Sequence, residues 1–141
     1  MSQLSNFNKL LALGQYYEQE SQRMICARNG VTIISTQTSE NYKTYHQDFT
    51  TSDGISFEVK GDIASLTTGN VFIEFKQGDK LSGISITTAD YHIIFSGTYY
   101  LIETDMLKKL THNRIIRRTA SYSYGYIIPV TVIKTHAFIL V

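Results

Sequence analysis

The sequence of 141 residues contains one cysteine, one proline and no long apolar run. A single cysteine excludes an intramolecular disulfide framework and a zinc site built from cysteines. Cys26 stands among apolar neighbours, where we expect a small, buried, hydrophobic side chain. No segment approaches the ~20 apolar residues that span a membrane, and the apolar run near the N-terminus is too short for a secretory signal. We therefore expect a soluble protein of a reducing compartment, the cytoplasm, with no membrane partner.

Acidic residues are missing from the last part of the chain. All twelve Asp and Glu lie at or before Asp105, together with seven Lys or Arg, so residues 1–105 carry a net charge of −5. Residues 106–141 contain six Lys or Arg and no acid, a net charge of +6. The near-neutral total of +1 conceals this asymmetry. Such a charge division between segments is typical of a protein with a polyanionic partner.

The order of the predicted elements indicates an α/β fold, or an α+β fold with a mixed central sheet. The length and the 43% of hydrophobic residues predict one domain over residues 1–141, with an acidic core (1–105) and a basic segment (106–141). Helical periodicity and capping signals predict helices over residues 8–29 and 105–110, and a short helix within residues 84–91 that starts at Thr87 or Thr88. β-Branched and alternating segments predict strands over residues 31–36, 42–50, 55–61, 71–76, 92–95 and 99–102. Residues 66–70 are predicted as a loop, and the tail as one or two strands with an edge or a bend at Pro129.

Asp48 and Glu58 flank a predicted hairpin, whose turn is Ser52-Asp53-Gly54. Because side chains alternate along a strand, Glu58 and Lys60 share one face, and the hairpin brings the Asp48 region beside them. Two neighbouring carboxylates repel unless a cation lies between them. Mg²⁺ prefers one or two carboxylates, water and phosphate oxygens. The alternative is a solvated strand face on which Glu58 and Lys60 form a weak surface pair.

Asp48 followed by Glu58-x-Lys60 resembles the motif of the PD-(D/E)xK nuclease superfamily. The local sequence pattern, DF–x4–GI–x2–E–x–KG, is similar to that of phage endonucleases that resolve Holliday junctions. The resemblance implies a restriction-endonuclease-like core: an N-terminal helix, a meander of three antiparallel strands, then a helix and a further strand. It also implies metal-dependent phosphodiester hydrolysis, with Asp48 and Glu58 as metal ligands and Lys60 beside the attacking water. Gln47 replaces the proline of the motif.

Many members of that superfamily add a glutamate from the first helix, for which this chain offers Glu18 and Glu20. Tyr17 and Met24 lie on the helix face that must pack against the sheet. At about 100° per residue, Glu20 projects close to that face, and we place Glu18 well away from it. Glu20 is therefore the predicted third metal ligand.

A second D…ExK spacing competes with the first. Asp62 precedes Glu74-Phe75-Lys76, with TTGN between them and SGISITTADY after them, a block that is similar to other phage-encoded nuclease-like sequences. Asp62 shares a strand face with Glu58 and Lys60, so it could support the first site, and Glu74 could supply a further ligand from an adjacent strand. The residues alone leave open which set forms the site. The predicted strand 71–76 also stands where the resemblance implies a helix.

The acid-free segment contains a cluster of basic residues that we interpret as a nucleic-acid-binding surface: Lys108, Lys109, Arg114, Arg117 and Arg118. Such side chains bind phosphates without reading sequence. Tyr122, Tyr124 and Tyr126 follow at a spacing of two and are expected to line one strand face. Base stacking on this row is one interpretation, and half-buried strand tyrosines are the favoured one.

Together these features predict a Mg²⁺- or Mn²⁺-dependent DNA endonuclease, potentially acting on branched or structured DNA, without an organic cofactor. By analogy with junction resolvases we expect a homodimer, in the host-cell cytoplasm if the protein is viral. One alternative is a non-catalytic member of the same fold that binds nucleic acid or protein. The other is a structural subunit whose exposed strand faces form an oligomer interface.

Overall fold

The structure is a computed structural model that describes residues 3–36 and 47–140, with the side chains of residues 3–8, 10 and 11 outside that description. It is an α+β fold that begins with a long helix. The helices are α1 (Gln3–Asn29), α2 (Ser65–Thr68), α3 (Thr104–Leu110) and α4 (Val130–His136), and a 3₁₀ turn spans Gly83–Ser85.

The strands form two sheets. They are β1 (Ile33–Thr36), β2 (Phe49–Thr51), β3 (Ser56–Gly61), β4 (Asn70–Gln77), β5 (Lys80–Leu81), β6 (Tyr91–Phe95), β7 (Tyr99–Glu103), β8 (Ile115–Arg118), β9 (Ser123–Pro129) and β10 (Phe138–Leu140). The mixed sheet has the order β1-β2-β3-β6-β7-β10, in which β3 and β6 are parallel and the other neighbours antiparallel. The second sheet, in the order β5-β4-β9-β8, is entirely antiparallel.

The mixed sheet is covered on both faces, which explains its apolar central strand β6. Ile93 belongs to a core formed with α1, whereas the next residue, Ile94, belongs to a core formed with the antiparallel sheet, α3 and α4. Neither isoleucine is exposed to solvent. Successive side chains of a strand point to opposite faces, so the helix and the second sheet lie on opposite sides of the mixed sheet.

The long N-terminal helix is held on the mixed sheet by Tyr17. Its ring stacks on Phe95 with a centroid distance of 4.5 Å. It also lies over Gly61, where an added Cβ would come within 2.3 Å of the ring. Gly61 thus provides the space that lets the tyrosine reach the ends of β3 and β6, and this contact fixes which helix residues face the sheet.

The α+β fold class, the N-terminal helix and the mixed sheet are confirmed. The hairpin turn is confirmed as well: the Gly54 amide donates to the Thr51 carbonyl at 2.9 Å, and Gly54 takes a φ of 83° that suits glycine. The short helix predicted over residues 105–110 is present as α3, and Pro129 ends β9 at a bend into α4. For the strand predicted over residues 42–50, residues 42–46 lie outside the described residues, and the remainder contributes to β2.

Two local predictions are wrong. Residues 66–70, predicted as a loop, contain most of α2, which ends at Gly69 in the left-handed conformation. Residues 84–91, predicted to hold a short helix, hold only the end of the 3₁₀ turn, a loop and the first residue of β6. The strands predicted for the tail are confirmed as β9 and β10, but the tail also contains a helix, α4, which its β-branched residues did not predict.

The connection between β3 and β6 differs from the one that the resemblance implies. A single turn of helix, α2, is followed by β4, β5 and the 3₁₀ turn, so half of the second sheet is inserted where one long helix was expected. The strand predicted over residues 71–76 is confirmed as the central part of β4. In the part of the chain that the structure describes, no helix is both long and apolar enough to cross a bilayer.

Candidate active site

Asp48 lies beside β3 at the open end of the β2–β3 hairpin. Phe49 pairs with Phe57 in the antiparallel register, and Asp48 comes directly before β2. The Asp48 amide donates to the Phe57 carbonyl at 2.8 Å, so Asp48 and Phe49 both stand opposite Phe57 and the strand pairing is irregular at this point. The hairpin therefore brings Asp48 to the strand that carries Glu58 and Lys60, the other residues of the first motif.

The Asp48 carboxylate is buried and fixed to the backbone of β3. Its Oδ2 atom accepts a hydrogen bond from the Val59 amide at 2.7 Å, and only 7% of the residue is exposed. Burial raises the pKa of Asp48 to about 6, although the Val59 amide and the positive charge of Lys60 both act to lower it. Lys60 is thus close enough to Asp48 to interact with its charge, as the motif predicts.

Glu18 of α1 is the helix acid that interacts with Asp48. It is half-buried, and burial together with the negative charge of Asp48 raises the pKa of Glu18 to about 7. The prediction that Glu18 points well away from the packed face is wrong. A half-buried acid whose ionisation the charge of a second acid opposes marks a place where a positive charge is favoured.

Glu20, the helix acid that the sequence favoured, has a different partner. Its Oε2 atom forms a salt bridge with Arg23 at 2.7 Å, one turn further along the helix. The apolar face predicted from the sequence included Ile25, but the two helix acids were compared with Tyr17 and Met24 alone. Ile25 is buried, at 1% exposure, and lies only about 20° from Glu18 around the helix. Comparing the acids with Ile25 as well would have identified Glu18.

Gln47, which replaces the proline of the motif, connects the start of the site to the loop before β6. Its amide nitrogen donates to the Thr50 hydroxyl at 2.7 Å, and its amide oxygen accepts from the Thr88 hydroxyl at 3.2 Å. The glutamine thereby fixes the chain directly before Asp48. Where the motif has a proline, hydrogen bonds of the Gln47 side chain hold the chain before β2.

His92 is a buried residue of the same region that the motif search missed. It is the register partner of Glu58 in the parallel pair of β3 and β6, and only 6% of it is exposed. Its Nδ1 atom lies 2.9 Å from the hydroxyl oxygen of Thr104, the first residue of α3. Burial lowers the pKa of His92 to about 3, and the positive charges of Lys60 and Lys108 lower it further, so the imidazole is neutral at physiological pH. Its position directly before the two buried isoleucines of β6 was the available sequence signal.

Asp62, the first acid of the second motif, accepts hydrogen bonds from backbone amides around α2. Its Oδ1 atom accepts from the Ser65 amide at 3.0 Å and its Oδ2 atom from the Phe72 amide at 2.8 Å. One oxygen therefore binds the segment that joins β3 to β4, and the other binds β4 itself. These two hydrogen bonds give Asp62 a structural role in holding the local backbone.

The other two residues of the second motif lie in the antiparallel sheet. The Glu74 carboxylate accepts a hydrogen bond from the Ser82 hydroxyl at 3.0 Å. The Lys76 ammonium lies 5.2 Å from the ring centre of Tyr124. Glu74 and Lys76 are thus placed on β4, in a different sheet from Glu58 and Lys60.

The predicted basic surface divides into two parts. Lys108 and Lys109 belong to α3, beside the mixed sheet, and Arg114 follows that helix with its Nε atom donating to the Leu110 carbonyl at 3.0 Å. Arg117 and Arg118 are exposed on β8, the edge strand of the antiparallel sheet.

The tyrosine row is partly confirmed. Tyr124 and Tyr126 are half-buried residues of β9, and Tyr126 packs on Phe75 at 4.6 Å. Tyr122 lies outside the strand, in a turn with a φ of 62°, and is 60% exposed. The Arg118 guanidinium lies over its ring at 5.2 Å. The half-buried interpretation therefore holds for two of the three tyrosines.

The donor set suits a small, hard cation held by few protein ligands. Among residues 3–36 and 47–140, no group of three or more His, Cys, Asp or Glu side chains is arranged to hold a metal ion. Mg²⁺, however, is commonly bound by one or two carboxylates, with water and substrate phosphate oxygens completing the shell. Glu18 and Asp48 provide two carboxylates whose charges repel each other in a poorly solvated place.

Comparison with known proteins adds no family assignment to this geometry. The sequence matches no model of a protein family, and it has no significant match among curated proteins.

Proposed function

We propose that the protein is a Mg²⁺- or Mn²⁺-dependent DNA endonuclease of the PD-(D/E)xK type. The observation that carries the proposal is the interaction of Glu18 with Asp48, with Lys60 beside them. An acid from the first helix, an acid before the hairpin and a lysine on the returning strand are the residue types that the resemblance implies. Glu58 lies on β3 two residues before Lys60 and is the fourth member of the set that the resemblance implies.

Each residue has a role that its position supports. Glu18 and Asp48 would hold the cation, which when bound would lower the pKa of a water molecule and neutralise charge on the phosphate. Glu58, a metal ligand according to the resemblance, directly precedes Val59, whose amide binds Asp48. Lys60 would orient the attacking water or stabilise the negative charge that develops on the phosphate. The acid-free segment would attract the DNA backbone to the acidic centre.

The first part of the fold supports the same proposal. A helix and three antiparallel strands follow one another in the order that the resemblance implies. β6 then pairs in parallel with the third strand, although the connection to it contains β4 and β5 where the resemblance implies a helix. Branched DNA, a homodimeric assembly and a cytoplasmic location remain predictions, drawn from the resemblance and from the sequence.

Cleavage assays on supercoiled plasmid and on a synthetic four-way junction test the proposal. We expect the wild-type protein to cut in Mg²⁺ or Mn²⁺ and not in EDTA, and Asp48→Asn and Lys60→Ala to reduce the rate by at least about 100-fold. Asp79→Asn and Lys80→Ala, two exposed positions around the β4–β5 turn, are the matched controls and should cut normally. A wild-type cleavage rate no higher than that of Lys60→Ala would refute the proposed enzymatic activity.

The same variants address the non-catalytic alternative. A protein that only binds nucleic acid would show salt-sensitive DNA binding that needs no metal and that Asp48→Asn does not weaken. Light scattering of the purified chain, alone and with the junction, measures whether it forms the expected dimer.

A further inference from the structure

The hydrogen bond between His92 and Thr104 joins the helix α3 to the strand next to Glu58. Both residues are buried, with exposures of 6% and 3%, and their side chains meet at 2.9 Å. The Thr104 amide also donates to the Asp90 carbonyl at 3.0 Å. The first turn of α3 is therefore fixed to the mixed sheet through a side chain and through the backbone.

The rotation of α3 separates its two lysines. Lys108 follows Thr104 by four residues, so the two lie on the same side of the helix. Lys109 lies about 160° around the helix from Leu107, which has no exposure and marks the buried side. Lys108 is thus directed toward the region of His92, and Lys109 is directed away from the core.

The positive charges of two lysines, Lys60 and Lys108, act on the His92 imidazole. The charges of Lys60 and Lys108 both lower the pKa of His92, after the larger effect of burial. One lysine belongs to the predicted motif on β3 and the other to the acid-free segment. The β3–β6 register, in which Glu58 faces His92, brings these two parts of the chain to one place.

We propose that Lys108 is a substrate-binding residue of the same site as Lys60, and that His92 and Thr104 are the positioning residues that hold it there. This inference rests on the proposed nuclease function and deepens it. Lys60 serves the phosphate that is cut, and Lys108 binds a second phosphate of the same strand. The substrate is then a polynucleotide, because a small phosphodiester with one phosphate would leave Lys108 without a ligand.

The matched variants Lys108→Ala and Lys109→Ala test this assignment, since each removes one charge from the same short helix. We expect Lys108→Ala to lower kcat/KM on a junction or duplex substrate by about tenfold or more, and Lys109→Ala, whose side chain is directed away from the core, by a clearly smaller factor. On bis(p-nitrophenyl) phosphate, which has a single phosphate, the loss of Lys108→Ala should be clearly smaller than its loss on DNA. Equal losses on DNA, or an equal loss of Lys108→Ala on both substrates, would overturn the inference.

The positioning role is tested by Thr104→Val, which removes the hydroxyl group at nearly constant volume. We expect it to lower kcat/KM on DNA in the wild-type background and to have no further effect in the Lys108→Ala background, because contacts that act through one group are not additive. Thr104→Ser should restore the rate. Additive losses, or a failure of serine to rescue, would show that Thr104 serves only the stability of the fold.

Binding separates failure of this inference from failure of the proposed function. If the wild-type protein cuts no DNA, the nuclease proposal is refuted. The affinity for a DNA duplex, measured as a function of salt, then shows whether Lys108 contacts a phosphate. The slope of log affinity against log salt concentration counts the counterions that binding releases. A slope smaller by about one counterion in Lys108→Ala, but not in Lys109→Ala, would support the phosphate contact. Equal dependences in the two variants would overturn it.

Discussion

The carboxylate of Glu18 lies close enough to that of Asp48 for the Asp48 charge to help burial raise the pKa of Glu18 to about 7. One acid comes from the first helix and the other from the residue before β2. Burial raises the cost of ionising both acids, and for Asp48 the Val59 amide and the charge of Lys60 offset only part of that cost. We interpret this cost as the structural signature of a cation site.

Removing either acid should stabilise the metal-free protein while abolishing its activity. The pKa of Asp48 in the folded state, about 6, lies above its ordinary value of 3.8, so its favourable contribution exists below pH 3.8 and disappears as the pH rises through 6. At pH 8 in EDTA we expect Asp48→Asn to raise the free energy of unfolding by about 1–2 kcal/mol. Urea denaturation measures it, with Asp79→Asn as the unchanged control. A less stable Asp48→Asn protein would contradict the cation-site interpretation.

Divalent cations should stabilise the wild-type protein against heat. A ligand at 100 times its dissociation constant adds about 2.7 kcal/mol to the stability of the folded state. We expect Mg²⁺ and Mn²⁺ to raise the Tm of the wild type and of Glu20→Gln, but not of Glu18→Gln. Glu18 and Glu20 are matched positions on one helix, so differential scanning fluorimetry compares them directly. If Glu20→Gln alone lost the response, the sequence prediction of the helix ligand would be right and the geometric one wrong.

The hairpin part of the site could be predicted from the sequence because its information is local. Asp48, Glu58 and Lys60 lie within thirteen residues, and a turn with Gly54 fixes the register between them. Alternation along β3 then determines which side chains share a face. The helix contribution is harder, because it depends on a rotation about α1 that the buried position of Ile25 decides.

The remaining parts of the site depend on contacts between distant segments. His92 meets Thr104 because β6 pairs in parallel with β3, and no local pattern specifies that pairing. The connection between those strands was expected to be helical and contains part of a second sheet. Asp62 matched a motif by spacing alone, whereas its backbone hydrogen bonds became visible only in the folded chain.

The buried imidazole of His92 should make the fold sensitive to acid. Its pKa falls from 6.5 to about 3 on folding, so the unfolded chain takes up a proton first and stability is lost as the pH falls from 6.5 toward 3. We expect His92→Gln to reduce this loss by about 2–4 kcal/mol between pH 7 and pH 4. Chemical denaturation at a series of pH values measures the slope. His112→Gln, at an exposed turn position, should leave the slope unchanged, and equal slopes in both variants would show that His92 is not its source.

Gly61 should control the placement of Glu18 without belonging to the site. A Cβ at this position would meet the Tyr17 ring at 2.3 Å, and the ring is held against Phe95, so the helix must move away from the sheet. We expect Gly61→Ala to lower the free energy of unfolding by about 2–3 kcal/mol. Cleavage should weaken together with the Mg²⁺ response, because Glu18 follows Tyr17 on the displaced helix.

Gly14→Ala is the control on the same helix. Nothing lies within 4 Å of its added Cβ, so the higher helix propensity of alanine should stabilise the protein by about 0.5–1 kcal/mol. Urea denaturation, metal-dependent Tm shifts and cleavage rates are measured on both variants. If Gly61→Ala were destabilised but kept full metal response and cleavage, the placement of Glu18 would not depend on the contact of Tyr17 with the sheet.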